Sequence, residues 1–137
     1  MSLAQEHLIS HHIKPSVQRL SIMNYLLQNR THPTADMIFS DLYVSMPTLS
    51  RTTVYNTLKL LVEEKAIQMI TIDEKNARYD ADTSLHAHFR CKGCGEIFDV
   101  PVLGMDAVRV QADGRFEMDD IQLYCRGYCS KCKENHL

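Results

Sequence analysis

Cys91-Lys92-Gly93-Cys94 and Cys129-Ser130-Lys131-Cys132 are two C-x-x-C turns separated by 34 residues, and no other feature so narrows what this chain can fold into. Each turn lets two thiolates converge on one tetrahedral ion. Together they complete a closed four-sulfur shell, which suits a structural Zn(II) and leaves no position for a substrate water. Gly95, directly after the first pair, frees the backbone for the tight turn of the knuckle. The interval exceeds the short zinc-ribbon spacing, so metal closure ties the end of the chain back to the first strand of its domain. A sheet that small needs such a staple. A thioredoxin-like redox pair is disfavoured, because neither turn follows a βαβ pattern. A rubredoxin-like iron knuckle has the same four-sulfur geometry, and only metal content separates it from zinc. The fifth cysteine, Cys125, reads more readily as a buried structural thiol than as a reactive one.

The 137 residues, 45% of them apolar, leave room for one medium domain or two small ones. Two small domains fit better, because the first 65 residues follow helical patterns and the remainder strand patterns. The net charge of -2 argues against indiscriminate coating of nucleic acid, which rests on neutralising many phosphates. A localised DNA-binding face stays compatible with it. No apolar run approaches a membrane span, and the polar N-terminal residues lack the apolar core of a signal peptide, so a cytoplasmic chain with no membrane partner is expected.

Lys14-Pro15 opens a segment in which Val17, Leu20, Met23, Leu26 and Leu27 recur at helical spacing, with Pro15 in the first turn. Thr34 is the N-cap of a second helix carrying Met37, Ile38 and Leu42, and Ser50 caps a third with Val54, Leu58, Leu61 and Val62 on one face. Ala66–Ile72 and Ala77–Asp80 then read as strands flanking a polar turn. Three helices and a β-hairpin describe a winged helix-turn-helix over residues 1–80. A small polar hinge follows over 81–85. Residues 86–137 form a second, small α/β domain, with strands at His86–Cys91, Glu96–Val100 and Ile121–Arg126 and a helix at Met105–Ala112. The fold class is therefore α+β.

His86-Ala87-His88 puts two imidazoles on one face of a strand. Asp80 precedes them, Asp99 lies on the next strand, and His32 stands just before the second helix. Taken singly, each has a bland alternative: a solvent-exposed histidine at a helix start, an acidic strand end, a polar alternation. On the third helix Thr52, Tyr55, Asn56 and Lys59 form a stripe opposite the apolar face, which is either a solvated helix surface or a groove-reading one. In the second case Tyr55 can meet a thymine methyl, Asn56 an adenine, and Arg51 a phosphate or guanine.

The run Ser50-Arg51-Thr52-Thr53-Val54-Tyr55-Asn56-Thr57-Leu58, followed by His86-Ala87-His88-Phe89-Arg90-Cys91-Lys92-Gly93-Cys94-Gly95 and Cys129-Ser130-Lys131-Cys132, resembles the ferric uptake regulator family. The likeness runs from about Ile13 to the C-terminus. It implies a homodimeric, metal-dependent repressor of double-stranded operator DNA with inverted-repeat symmetry, whose second domain dimerises. The peroxide-sensing branch is the nearest match. In that branch the residues matching His32, Asp80, His86, His88 and Asp99 hold a regulatory ion, and iron-uptake members commonly carry Glu at the position of Asp99. Three imidazoles and two carboxylates suit Fe(II) or Mn(II), although Zn(II) outcompetes Fe(II) at such donors and can occupy them in purified protein. The resemblance further implies peroxide-driven oxidation of His32 or His86, and a minor-groove contact from Lys14. Iron-responsive and zinc-responsive repressors are the alternatives within the family. Outside it, a zinc enzyme of the nucleobase deaminase type needs an H-x-E motif, and His86 is followed by Ala87-His88 instead.

Overall fold

The computed structural model describes residues 1–104, 110 and 113–135. The chain divides into two compact units, Met1–Thr83 and Ser84–Leu137.

The first unit has four helices and a hairpin: α1 (Leu3–Ser10), α2 (Val17–Gln28), α3 (Ala35–Tyr43), α4 (Arg51–Glu63), β1 (Gln68–Ile70) and β2 (Arg78–Asp80). Every helix starts on a hydroxyl cap. Ser2, Ser16, Thr34 and Ser50 accept from the backbone N–H of Gln5, Arg19, Met37 and Thr53 respectively, each satisfying one of the donors a helix start leaves open. Pro15 thus lies outside the helix it was expected to open, because Ser16 is the stronger cap and is itself extended.

The helix α1 has no counterpart in the sequence reading. Only Ala4 and Leu8 of α1 are buried, one helical turn apart, which is too short a pattern to stand out among polar neighbours. What holds α1 is tertiary. The rings of His7 and His11 donate from Nε2 to the Ala66 carbonyl (2.7 Å) and from Nδ1 to the Glu64 carbonyl (3.2 Å), at the chain's exit from α4.

That exit is a Schellman turn. Lys65 sits at φ +61° and its N–H reaches the Val62 carbonyl, while the N–H of Ala66 reaches that of Leu61 (2.8 Å). A lysine where glycine is usual hides this ending from a sequence reading. It draws Ala66 and Ile67 into the core, so the strand expected from Ala66 shrinks to three residues. Strands β1 and β2 pair antiparallel with Met69 opposite Tyr79. Leu8, Ile22, Met23, Leu26, Ile38, Val54, Leu58 and Leu61 fill the space between the helices, all essentially inaccessible to solvent.

The second unit is a three-stranded sheet of β3 (Ala87–Cys91), β4 (Ile97–Val100) and β5 (Leu123–Gly127), in the order β4-β3-β5. Strand β4 pairs antiparallel with β3 and sets His88 opposite Asp99; β5 pairs parallel with β3. The parallel pairing needs a crossover, and the helix expected at Met105–Ala112 falls within it, outside the described residues except for Val110. Cys125, expected to be buried, is exposed on β5. Among the described residues no helix is long and apolar enough to cross a membrane.

Two outcomes test this account. Leu58→Ala, at a fully buried position on α4, should cost about 2–5 kcal/mol in denaturant unfolding. In the hairpin turn the Lys75 amide, helped by the Arg78 guanidinium, holds the Asp73 carboxyl below the usual carboxylate range. A carboxyl depressed in the folded state stabilises it above the unfolded pKa of about 3.9, and that stability is lost as the pH falls below it. Acidification should therefore loosen the hairpin, seen as faster amide exchange at Arg78–Asp80, and Asp73→Asn should abolish that pH dependence.

Candidate metal centres

The knuckle after β3 and the turn after β5 bring all four paired cysteines together, their Sγ atoms within 4.8 Å of one another. Cys94 and Cys129 are 3.8 Å apart. A tetrahedral ion with metal–sulfur bonds of about 2.3 Å separates its sulfurs by about 3.8 Å, so the cage has the size of a Zn(II) shell. Backbone amides are already aimed at one sulfur. The N–H groups of Cys129 (3.4 Å), Cys94 (3.4 Å) and Gly93 (3.3 Å) point at Cys91 Sγ and draw its thiol down to about 6. Cys132 is pushed the other way, up to about 12, by its hydrogen bonds with Cys129 and Cys91 and by burial. Four thiolates this close repel unless a cation sits among them, and a thiol-coordinated metal deprotonates its ligands outright. The donor set therefore suits a divalent, sulfur-loving ion.

Two glycines make the cage possible. Gly95 has φ +78°, where a side chain would be strained. Gly93 has no such backbone constraint, but a Cβ there would lie 2.9 Å from both Cβ and Sγ of Cys132. Its role could not be read from spacing, since it depends on a residue 39 positions away.

The histidines and aspartates lie in both units. In the second unit, His86 Nε2 is 3.1 Å and His88 Nε2 is 3.4 Å from the same oxygen, Asp99 Oδ1, across the β3–β4 register. His86 Nδ1 lies 2.8 Å from the Ser84 carbonyl. A carbonyl can only accept, so Nδ1 carries the hydrogen, and neutral His86 then turns the lone pair of Nε2 toward a carboxylate oxygen. Such a facing pair is relieved by a cation between or beside the two atoms, or by a second proton on the ring. Holding the outer ring nitrogen on a backbone carbonyl is also how ligating histidines are oriented. Ligand atoms sharing one ion at bonds of about 2.1 Å stand about 3.0–3.4 Å apart, which matches both contacts.

In the first unit His32 Nε2 and Asp80 Oδ2 are 3.5 Å apart, just beyond that range. Both residues are buried at 3% exposure, which removes the reading of His32 as a solvated histidine at a helix start. His32 has φ +57°, an uncommon backbone conformation for a histidine and one that no sequence signal announces.

The residues expected to face a groove lie where the helical stripe puts them. Thr52, Tyr55, Asn56 and Lys59 are exposed on α4, while Val54, Leu58 and Leu61 face the core. Lys14, on the turn before α2, is also exposed; with Arg19, Thr53 and Asn56 it lines one groove. Arg51 is exposed but engaged, with Nη1 2.6 Å from Asp36 Oδ1 and its guanidinium stacked 4.6 Å from the Phe39 ring centroid. Arg51 would have to leave Asp36 to reach a phosphate. Arg19 and Thr53 were not singled out from sequence, because neither lies on the stripe that periodicity marks.

Residues 10–126 match the model of the ferric uptake regulator family. A peroxide operon regulator from Bacillus subtilis is 35% identical over 128 residues, covering 90% of this chain and 88% of that protein. Among solved structures, the peroxide-sensing regulator PerR from Streptococcus pyogenes is 33% identical with a TM-score of 0.51, covering 93% of this chain and 89% of that one. The ferric uptake regulator from Pseudomonas aeruginosa with manganese shares the fold, with a TM-score of 0.72 at 20% identity over 94% of this chain and 99% of that one.

Gly93→Ala should lower the zinc retained by purified protein against a chelator, because the new methyl group strikes Cys132. Lys92→Ala, beside it and exposed, should leave zinc retention unchanged; equal retention in both variants would show that the cage does not depend on this close approach.

Proposed function

Because this chain belongs to the ferric uptake regulator family, we propose that it is a metal-dependent transcriptional repressor that binds inverted-repeat operator DNA as a homodimer in the cytoplasm and is released by peroxide. The observation that carries this reading is the pair of imidazoles, His86 and His88, converging on one Asp99 oxygen with the outer nitrogen of His86 held by a carbonyl. That arrangement is built for a cation, and its nitrogen and oxygen donors suit Fe(II) or Mn(II) rather than the sulfur-bound zinc. The Bacillus subtilis relative, a peroxide operon regulator by name, supports peroxide as the signal, as does Asp99 where iron-uptake members commonly carry Glu.

In this reading Cys91, Cys94, Cys129 and Cys132 hold Zn(II) for structure, and one regulatory ion draws His32 and Asp80 together with His86, His88 and Asp99 into a single ligand set. Residues 81–85 are the hinge that such a set would restrain. Restraint in both protomers of a two-fold dimer fixes the spacing of the two α4 helices, which must match half-sites roughly 34 Å apart or a multiple of it. Each tenfold preference of the ion for the restrained arrangement adds about 1.4 kcal/mol to its population. Iron held by His32, Asp80, His86, His88 and Asp99 would supply the redox chemistry by which peroxide leaves one oxygen on a ligating imidazole and the other as water. His32 and His86 are the residues whose oxidation would dismantle the ligand set. On α4, Tyr55, Asn56, Thr52 and Lys59 face the major groove, Arg51 and Lys14 supply further contacts, and four thiolates leave zinc no position for enzymatic chemistry.

Operator binding by the Fe(II)-loaded protein should be lost on peroxide treatment, with one oxygen gained on a peptide containing His32 or His86. The Mn(II)-loaded protein should keep both its binding and its mass. Binding that survives peroxide in the iron form would overturn peroxide sensing in favour of an iron-responsive repressor. Tyr55→Ala should weaken operator binding at least tenfold with both metal contents unchanged; unaltered binding would refute the assignment of the α4 face.

A further inference from the structure

His32 is held by three consecutive residues of β2, each through a different group. Arg78 donates from Nη1 to the His32 carbonyl (3.2 Å), the Tyr79 N–H donates to the Pro33 carbonyl (3.0 Å), and Asp80 Oδ2 stands 3.5 Å from His32 Nε2. Arg78 is itself held. Its Nε and Nη2 both donate to Asp73 Oδ2 at 3.1 Å, and Asp73 Oδ1 accepts from the Lys75 N–H at 2.9 Å within the hairpin turn. Neither side chain is loosely solvated: Asp73 is 7% and Arg78 21% exposed.

We propose that Asp73 and Arg78 are positioning residues for the regulatory metal, clamping the His32 carbonyl so that the backbone stays left-handed and the imidazole stays aimed at Asp80. The proposal rests on His32 being a metal ligand, as inferred above. A non-glycine residue at φ +57° persists only where its surroundings over-determine it. Here the determining contacts fall on the carbonyls of His32 and Pro33, the atoms whose direction that φ and its neighbours set. The guanidinium is also the only side chain whose rigid fork can hold a carboxylate with one edge and reach a separate carbonyl with the nitrogen left over. Lysine keeps the charge for Asp73 and loses the geometry. In the free protein the clamp supplies the ordering that metal binding would otherwise have to impose on His32, so its loss should appear in metal affinity. Partners that orient ligating side chains commonly influence affinity by about 10–100-fold.

The test is Mn(II) titration of the full-length, zinc-containing dimer, read by the electron paramagnetic resonance of free Mn(II). Arg78→Lys should weaken Mn(II) binding about tenfold, or about 1.4 kcal/mol, with the zinc content and the thermal midpoint of the parent. His32→Ala should weaken it more, and adding Arg78→Lys to His32→Ala should weaken it no further. A purely structural brace would not give that non-additivity. Parental affinity in Arg78→Lys alongside a loss in His32→Ala overturns the clamp and keeps His32 as a ligand. Equal losses from Arg78→Lys in both backgrounds overturn it as well, since Arg78 would then act by another route. Parental affinity in His32→Ala overturns the ligand assignment itself. Should Arg78→Lys fail to fold, Asp73→Asn carries the same comparison, and failure of both to fold assigns the pair to structure and overturns the proposal.

Discussion

Mutual repulsion among four sulfur atoms is the constraint on which the second unit depends. Cys91 and Cys94 leave β3 and Cys129 and Cys132 follow β5, so gathering their thiolates closes the sheet at one end. Backbone amides relieve the repulsion most at Cys91, with a further one from Glu96 at Cys94, and the opposite displacement of Cys132 shows how little charge the cage tolerates alone. A divalent ion removes the conflict and turns the knuckles into a staple, in a sheet of three short strands that has little apolar surface to bury. The first knuckle also joins β3 to β4, which pair in the register that puts His88 opposite Asp99.

Two kinds of donor lie a few residues apart on β3, and they differ in how strongly they select one ion. His88 faces a carboxylate; Cys91, three residues on, faces sulfur. Thiolates select zinc-like ions, while imidazole and carboxylate leave the choice to metal supply. A sulfur-held ion and a supply-dependent one could therefore share a strand. This suits a regulator whose scaffold must outlast each change of signal.

The first unit solves a different problem, that of holding one histidine ready. Hydroxyl caps and an interlocked apolar core fix the helices, and the hairpin folds back so that Arg78, Tyr79 and Asp80 all engage the segment before α3. The same β2 strand pairs with β1, whose Met69 lies beside the exposed face of α4. Strain at His32 and the position of the wing are thus properties of one hydrogen-bonded unit.

Local chemistry made much of this legible in advance. Thr34 and Ser50 announce their helices because a hydroxyl cap and apolar spacing act within a few residues, and the C-x-x-C turns announce a cage because only a shared ion makes such spacing useful. His86 and His88 share a face by the period of a strand, whatever surrounds it. Other features were invisible for an equally physical reason: they depend on groups far apart in sequence. Helix α1 is held by carbonyls near residue 65, Gly93 is required by Cys132, and the end of α4 is a Schellman turn closed on a lysine. The exposure of Cys125 and the left-handed backbone of His32 belong to the same class. Residue type and spacing determined which atoms could bind metal or face a groove. Packing at long range decided how those atoms are aimed, because direction is set by the neighbours that satisfy each hydrogen bond.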